Sequence, residues 1–451
     1  GDITEEEAAL ALNTPLTFAK APEPNQQKHA QHFTQMVLDE LNKRYGEERI
    51  KRSGFTVTTS LDLGWQQEAE KQIKQQIENT KSQGATNAAL VAIDPRNGEI
   101  RALAGSNDWN DPEHGQVNMA LTPRQPGSSF KPIYYTEALA KRLITPATIL
   151  KDEPKDFNGY KPQNFDFKYR GDISVRRALA TSLNIPAIEV MQKLGVNEAA
   201  ATASRMGIEG VDEPDKYGLT LALGTAETRL LDMVNAYAAF ANQGQQHKPT
   251  TIVKIQDKFQ KEIFTHKPSG KTVQTREASY LISSILSDNA ARAPSFGSRL
   301  NISNRTVAVK TGTTDDNVDA WTIGYTPSIV TGVWVGNNDH KPMSLGGAAG
   351  AGPIWRNSIQ AFLSDSPSEQ FSQPGSIEKA TVCNVHGTYQ EYFLRGTAPS
   401  NRCNTTRSRS ETDNQRQPQA TPPPTPPSSS GGTPPPTPSP TPSPTPEPSP
   451  S

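Results

Sequence analysis

Residues 306–336 read TVAVKTGTTDDNVDAWTIGYTPSIVTGVWVG, three short apolar runs with tight connections. Strands joined by such short connections are antiparallel neighbours. Upstream, NAALVAIDPRNGEIRALAG (87–105) holds two more apolar runs around a turn-rich DPRNGE, which predicts a β-hairpin. A mostly helical stretch from about 128 to 295, broken by a polar loop near 152–172, lies between the two groups. Two strands, a helical insert and three strands predict an α+β domain with a five-stranded sheet.

The composition restricts the possible partners. The 451 residues carry a formal net charge of −1, so no basic field favours nucleic acid. No stretch approaches the ~20 apolar residues of a membrane span. The chain begins at Gly1 without a Met, so we interpret it as a fragment or processed form with a lost upstream anchor. No metal or cofactor is expected, because His29 and His32 lack a third ligand nearby and are expected on a solvated face.

Changes in composition divide the chain into four predicted regions. Residues 1–87 form a lead-in with amphipathic helices, and residues 88–365 form the main α+β domain. Residues 366–411 form a small extension that contains both cysteines. Residues 412–451 are rich in Pro, Thr and Ser, cannot bury a core, and are expected to be disordered or extended.

The two cysteines, Cys383 and Cys403, lie in one late segment. A disulfide between them would close a short loop, which is worth about 3 kcal/mol in the loop-entropy model. Such a bridge would favour an oxidising compartment. We predict the bridge, and two free thiols are the alternative.

The first candidate motif is Ser128 and Lys131 in QPGSSFKP (125–132), at the predicted start of a helix. Residues at i and i+3 share a helix face. A serine hydroxyl is a weak nucleophile until a base takes its proton, and a neutral lysine amine can be that base. The ordinary lysine pKa of ~10.4 must then be lowered by burial or a nearby cation. The same spacing recurs at Ser376 and Lys379, without other catalytic features.

Two further elements strengthen this interpretation. Ser182-Leu183-Asn184 interrupts VRRALATSLNIPAIEV (175–190), where a tight loop between helices is expected. A literal Ser-Asp-Asn triplet at 287–289 competes with it but is more typical of a helix C-terminal turn. The properties of the residues alone do not decide between 182–184 and 287–289 as the second motif.

The other element is Lys310-Thr311-Gly312-Thr313, at the end of a predicted strand. A lysine and threonines offer a cation and hydroxyl donors to a substrate carboxylate. Gly312 lacks a Cβ, so an extended substrate could lie against the strand. Lys310 also supplies a second positive charge that would help to keep Lys131 neutral.

Ser-x-x-Lys, Ser-x-Asn and Lys-Thr-Gly in this order resemble the active-site serine penicilloyl transferases. Within that superfamily the chain resembles the transpeptidase domain of class A penicillin-binding proteins over about residues 55–365. The resemblance rests on four stretches: RQPGSSFKP (124–132), ALATSLNIPA (178–187), LALGTAETRLLDMVNAYAAFANQG (221–244) and VAVKTGTTDDNVDAWTIGYTP (307–327). It implies a five-stranded antiparallel sheet between helical layers. It also places the second motif at 182–184.

The resemblance implies that Ser128 is acylated by the penultimate D-alanine of a peptidoglycan pentapeptide stem, with Lys131 as general base. Ser182 would relay a proton towards the leaving amine, and Asn184 would orient the donor peptide. An amine of another stem would resolve the acyl-enzyme, and β-lactams would trap it.

The third motif and the backbone complete the implied site. Lys310, Thr311 and Thr313 would grip the substrate carboxylate, and the backbone N–H groups of Ser128 and Thr313 would form the oxyanion hole. Class A members carry a membrane helix and a glycosyltransferase domain before this module, so an extracytoplasmic domain of an anchored parent protein is expected. The alternatives are a D,D-carboxypeptidase, a β-lactamase, or a non-catalytic penicillin-binding sensor.

Overall fold

The computed structural model describes residues 4–13 and 30–399. The helices are α1 (Glu5–Asn13), α2 (Gln31–Tyr45), α3 (Glu47–Ser53), α4 (Leu63–Thr80), α5 (Lys131–Ala140), α6 (Val175–Ala180), α7 (Ile185–Leu194), α8 (Val196–Arg205), α9 (Pro214–Tyr217), α10 (Leu230–Ala241), α11 (Arg276–Leu286), α12 (Asn289–Phe296) and α13 (Ala351–Phe362). The strands are β1 (Thr56–Thr59), β2 (Asn87–Ile93), β3 (Ile100–Ala104), β4 (Ile149–Asp152), β5 (Gly171–Ser174), β6 (Gln245–His247), β7 (Ile252–Gln256), β8 (Glu262–Thr265), β9 (Gly270–Thr272), β10 (Ala308–Thr313), β11 (Asp319–Tyr325), β12 (Val330–Gly336), β13 (Ile377–Asn384) and β14 (Gly387–Leu394).

The central sheet has five antiparallel strands in the order β10-β11-β12-β2-β3. Strands β2, β11 and β12 are buried along their whole length, because both faces of the sheet are covered. Val91 and Tyr325 belong to one hydrophobic cluster, whereas Leu90 and Val333 belong to the other. The predicted α+β class and five-stranded antiparallel sheet are confirmed.

Helices form a layer on each face of this sheet. Residues of α5, α7, α10 and α11 fill the larger cluster, and residues of α4 and α13 fill the smaller one. Trp321 and Trp334 lie opposite each other on β11 and β12 and are buried in the core. Helix α5, which contributes to the larger cluster, begins at Lys131, three residues after Ser128.

The prediction of a mostly helical stretch is wrong for residues 245–272, which form β6 to β9. These strands are three to five residues long and largely polar, so hydrophobic periodicity gives little signal. Strand β7 pairs with β1, which lies far upstream in the chain. His32 is also not on a solvated face, because it is buried and its Nδ1 accepts a hydrogen bond of 3.3 Å from the Gly105 N–H.

The last described elements are the hairpin strands β13 and β14. Glu391 of β14 is buried and forms an ion pair of 2.6 Å with Arg176 of α6, which attaches the hairpin to the helical layer. Cys383 lies on β13, whereas Cys403 and the predicted disordered tail lie outside the described residues, so the disulfide and the tail stay predictions. Within residues 4–13 and 30–399, every helix is too short or too polar to cross a membrane.

Candidate active site

Ser128 lies in a short 3₁₀ turn, Gly127–Phe130, which leads directly into α5. Its side chain is half-buried, while the neighbouring Ser129 is fully buried. Two hydrogen bonds hold the turn: Ser129 Oγ donates to the Pro126 carbonyl at 2.7 Å, and Tyr237 OH donates to the Ser129 carbonyl at 2.6 Å. The turn therefore presents Ser128 at a fixed helix start, as the sequence predicts.

Glycines allow the Ser128 turn to pack directly on strand β10. Gly127 has φ +54, and a Cβ there would lie 2.6 Å from the carbonyl oxygen of Thr313. A Cβ at Gly312 would overlap the carbonyl oxygen of Pro126. Only glycine fits such close backbone approaches without displacement. The first and third motifs are thus in backbone contact.

Lys131 joins the first motif to the second. Its side chain is fully buried, and Nζ donates to the carbonyl oxygens of Ser182 and Leu183, each at 2.9 Å. A third hydrogen bond of 2.8 Å runs from Nζ to Asn184 Oδ1. The loop 182–184, between α6 and α7, therefore accepts three hydrogen bonds from the Lys131 amine.

Lys310 joins the third motif to the same loop. Its Nζ donates to Ser182 Oγ at 2.7 Å and to the Thr311 carbonyl at 2.9 Å. Ser182 itself has φ 66, a left-handed conformation that residues other than glycine adopt at a cost in free energy. The structure thus brings all three predicted motifs together around one loop.

Burial dominates the electrostatics of both lysines. It holds the pKa of Lys131 well below the ordinary lysine range; the positive charge of Lys310 lowers this pKa further, whereas Asp152 raises it. Burial also lowers the pKa of Lys310 to about 7, with a smaller contribution from the Arg292 guanidinium. Two adjacent buried ammonium groups disfavour each other, so a neutral amine is accessible near neutral pH.

Residues that the sequence did not identify position the second motif. Asn164 is buried, and its Oδ1 accepts a hydrogen bond of 2.8 Å from the Asn184 N–H. Asn164 Nδ2 in turn donates to Asp152 Oδ1 at 2.8 Å. Both residues lie at or within the polar loop that the sequence indicated, but only the fold brings that loop to Asn184. Arg292, near Lys310, follows the competing Ser-Asp-Asn triplet, and sequence alone gave no reason to select it.

The competing motifs lie in ordinary structural roles. Asp288 caps the N-terminus of α12 by accepting from the Ala291 N–H at 2.9 Å. Ser376 donates to a carboxylate oxygen of Glu277 on α11, and Lys379 packs over the Tyr392 ring. The part of the chain that the structure describes holds no group of three His, Cys, Asp or Glu side chains placed to bind a metal ion.

A half-buried serine at a helix start, two buried lysines and a serine-asparagine loop form an arrangement typical of serine–lysine acyl-transfer sites, here on an α+β scaffold. The family described as "Penicillin binding protein transpeptidase domain" matches residues 88–360. The chain therefore belongs to the penicillin-binding protein transpeptidase domain family.

Individual relatives agree with this assignment. Penicillin-binding protein 2D of Bacillus subtilis is 29% identical over 426 residues, which cover 89% of this chain and 60% of that protein. Penicillin-binding protein 1A of Aquifex aeolicus is 34% identical over 298 residues, which cover 63% of this chain and 39% of that protein. The chain thus spans less than two thirds of the length of either relative.

Solved structures show the same fold. Penicillin-binding protein 1A from Haemophilus influenzae is 25% identical with a TM-score of 0.77, and the match covers 88% of this chain and 80% of that one. The PonA1 protein from Mycobacterium tuberculosis in complex with penicillin V is 27% identical with a TM-score of 0.68, and the match covers 76% of this chain and 95% of that one.

Proposed function

We propose that the chain is a D,D-transpeptidase that cross-links peptidoglycan stem peptides through an acyl-enzyme on Ser128, and that β-lactams acylate the same serine. The observation that carries this proposal is the convergence of two buried amines on one loop. Lys131 donates to the main chain of that loop, and Lys310 donates to Ser182 Oγ at 2.7 Å. Such a site can both remove and return a proton at a serine nucleophile.

In the acylation step, Ser128 Oγ attacks the carbonyl carbon of the penultimate D-alanine. Lys131, in its neutral form, takes the hydroxyl proton. The peptide bond to the terminal D-alanine then breaks, and its nitrogen receives a proton through Ser182 Oγ. In the second step, the amine of a neighbouring stem peptide attacks the ester carbonyl, which forms the cross-link and restores Ser128.

The third motif supplies the binding donors in this proposal. The backbone N–H groups of Ser128 and Thr313 would stabilise the oxyanion, and the close approach of Gly127 to Thr313 supports that assignment. Lys310 is only 2% exposed and is engaged with Ser182. The hydrogen bond to Ser182 favours a proton-relay role for Lys310, and we assign contact with the substrate carboxylate to Thr311 and Thr313.

The experiment is intact-mass analysis after exposure of the full chain to penicillin V, followed by peptide mapping. We expect one adduct per chain, located on Ser128 and absent from Ser128→Ala. Ser376→Ala is the matched control, because it removes the serine of the second Ser-x-x-Lys pattern and should leave the adduct in place. An adduct on Ser182 or Ser376, or no adduct at all, would contradict the proposal.

The fate of the acyl-enzyme separates transpeptidation from hydrolysis. With a pentapeptide donor and an amino acceptor, we expect release of D-alanine together with a cross-linked product. Release of D-alanine without that product would instead favour a carboxypeptidase, and rapid turnover of penicillin a β-lactamase. We further propose an extracytoplasmic location, because the stem peptides are cross-linked outside the plasma membrane, within a longer parent protein that carries a membrane anchor and a glycosyltransferase domain.

A further inference from the structure

A loop beside the second motif exposes several aromatic rings. Residues 164–170, NFDFKYR, form what we call the aromatic loop. Phe165 and Phe167 are each 74% exposed, and Tyr169 is 37% exposed. Scattered surface hydrophobics are ordinary, but adjacent large rings mark a binding surface more often than a chance pattern.

The aromatic loop is fixed in place rather than loosely attached. Asn164 Nδ2 donates to Asp152 Oδ1 and to the Lys168 carbonyl, both at 2.8 Å. The Arg170 N–H donates to Asp152 Oδ2 at 2.9 Å, and the Arg170 guanidinium donates to Asp166 Oδ1 at 2.9 Å. A buried carboxylate and an ion pair thus hold both ends of a segment whose rings lie in water.

The backbone at Phe167 has an unfavourable conformation. Its φ is 57, in the left-handed region where bulky residues are rare. Glycine or asparagine would fit this position with less strain. Local strain of this kind persists where the surrounding structure determines it, and it is concentrated at ligand sites. A strained phenylalanine with a solvent-exposed ring therefore points to a function for the ring.

The aromatic loop lies at the edge of the proposed catalytic cleft. Asn184 donates its backbone N–H to Asn164 Oδ1 and its Nδ2 to the Gln163 carbonyl, both at 2.8 Å. Asn184 Oδ1 in turn accepts from Lys131 Nζ at 2.8 Å. Only two hydrogen bonds therefore separate the aromatic loop from the lysine that serves Ser128.

We propose that Phe165 and Phe167 bind the sugar rings of the glycan strand that carries the donor stem peptide. This inference rests on the proposed function. Four extended residues span about 14 Å. A glycan joined to such a stem by a short linker must therefore pass close to the cleft. A pyranose ring presents an apolar C–H face that packs on an aromatic ring, and exposed Gln163 and Lys168 offer hydrogen-bond donors to its hydroxyl and acetamido groups.

The charges of the aromatic loop favour a sugar over a lipid surface. Asp166, Lys168 and Arg170 share this short segment with the rings, so its insertion into a bilayer would also remove these charged groups from water. Binding of the full chain to phosphatidylglycerol–phosphatidylethanolamine vesicles that is lost with the rings would overturn the proposal in favour of a membrane contact.

The test compares two donor substrates in the same variant. In Phe165→Ala/Phe167→Asn, asparagine tolerates the left-handed backbone, so the change removes the rings without adding strain. The measured quantity is kcat/KM for D-alanine release from a disaccharide-pentapeptide, divided by kcat/KM for the free pentapeptide. We expect this ratio to fall about tenfold. Phe259→Ala is the matched control, because Phe259 is 77% exposed on the turn between β7 and β8, and it should keep the wild-type ratio.

A direct titration separates this inference from the proposed function. A peptide-free tetrasaccharide of alternating N-acetylglucosamine and N-acetylmuramic acid should bind the wild type and Phe259→Ala but bind the double variant at least tenfold more weakly. If the wild type released no D-alanine from either donor, the proposed function would fail while this titration still decided the role of the rings. The proposal would be overturned if the double variant kept the wild-type ratio of kcat/KM values or the wild-type affinity for the tetrasaccharide. The ratio is also unchanged when kcat/KM falls equally for both donors, and such a parallel fall would indicate only a disturbed Asn184.

Discussion

Lys310 makes the stability of the folded chain depend on pH in a direction that can be calculated. The unfolded chain holds this proton up to a pKa of ~10.4. In the folded state, burial lowers the pKa of Lys310 to about 7. Between these two values the unfolded state binds more protons than the folded state, so the free energy of unfolding rises with pH by up to 1.36 kcal/mol per pH unit. The gain is about 2 kcal/mol between pH 7 and pH 9, and on the order of 5 kcal/mol in full.

Lys310→Met removes this dependence, because methionine fills a similar volume without an ionisable group. Urea unfolding of wild type and variant at matched pH values from 6.5 to 9 gives the difference between them, in which the titrating groups remote from Lys310 cancel. The free energy of unfolding of the variant minus that of the wild type should be largest at pH 7 and below, and this difference should decrease by about 2 kcal/mol by pH 9. The lost hydrogen bonds of Nζ add an offset that does not vary with pH.

Lys74→Met serves as the control, since it removes an exposed ammonium from α4 and should give a difference that is constant across this range. A flat difference for Lys310→Met, or one that grows with pH, would refute the reasoning about its burial. Acylation by a fluorescent penicillin gives a second readout. Acylation of Lys310→Met should be slower than that of the wild type by about 10²-fold or more, because Ser182 loses the Lys310 amine that donates a hydrogen bond to its Oγ.

Three further predictions concern the same site. Lys131→Arg keeps a positive charge but loses the base, because arginine does not release its proton in proteins. We therefore expect no acylation of this variant by fluorescent penicillin. Acylation at the wild-type rate would disprove the role of Lys131 as base. Gly312→Ala adds a methyl group that overlaps the Pro126 carbonyl, so we expect the free energy of unfolding in urea to fall by about 1–3 kcal/mol and acylation to slow. Gly375→Ala is the control, because a Cβ there meets open space and the variant should match the wild type. Equal urea midpoints for Gly312→Ala and wild type would contradict the packing argument. Asp152→Asn removes the charge that raises the pKa of Lys131, so the pH midpoint of the acylation rate should move down, and an upward movement would show that Asp152 acts in another way.

The sequence predicts those parts of the fold whose signals are local. The strands after residue 306 and the 87–105 hairpin have apolar runs bounded by turns, and the structure confirms both pairings. The strands within 245–272 were missed because they are short and largely polar. One of them, β7, also pairs with β1, which is distant in sequence. Local signals describe such segments poorly, since tertiary pairing decides their structure.

The candidate site divides in the same way. Residue type and spacing are sufficient to select Ser128, Lys131 and Lys310 as candidates. The choice of residues 182–184 over 287–289 for the second motif required the resemblance to a family. Asn164 and Arg292 could not be found, because their roles depend on contacts with residues about twenty positions away, Asn184 and Lys310, which no local pattern links to them. Burial, which sets the pKa of both lysines, is likewise a property of the assembled fold.

The two lysines lie where protein stability alone would not place them. Both ammonium groups are buried, and within the described residues no ion pair joins either of them to a carboxylate. Burying a charge without a paired carboxylate disfavours the folded state. Ser182 adds backbone strain at the loop that both lysines contact. Removing either amine should therefore raise the free energy of unfolding near pH 7 while acylation slows by about 10²-fold or more. This trade-off is expected where residues are retained for chemistry rather than for stability.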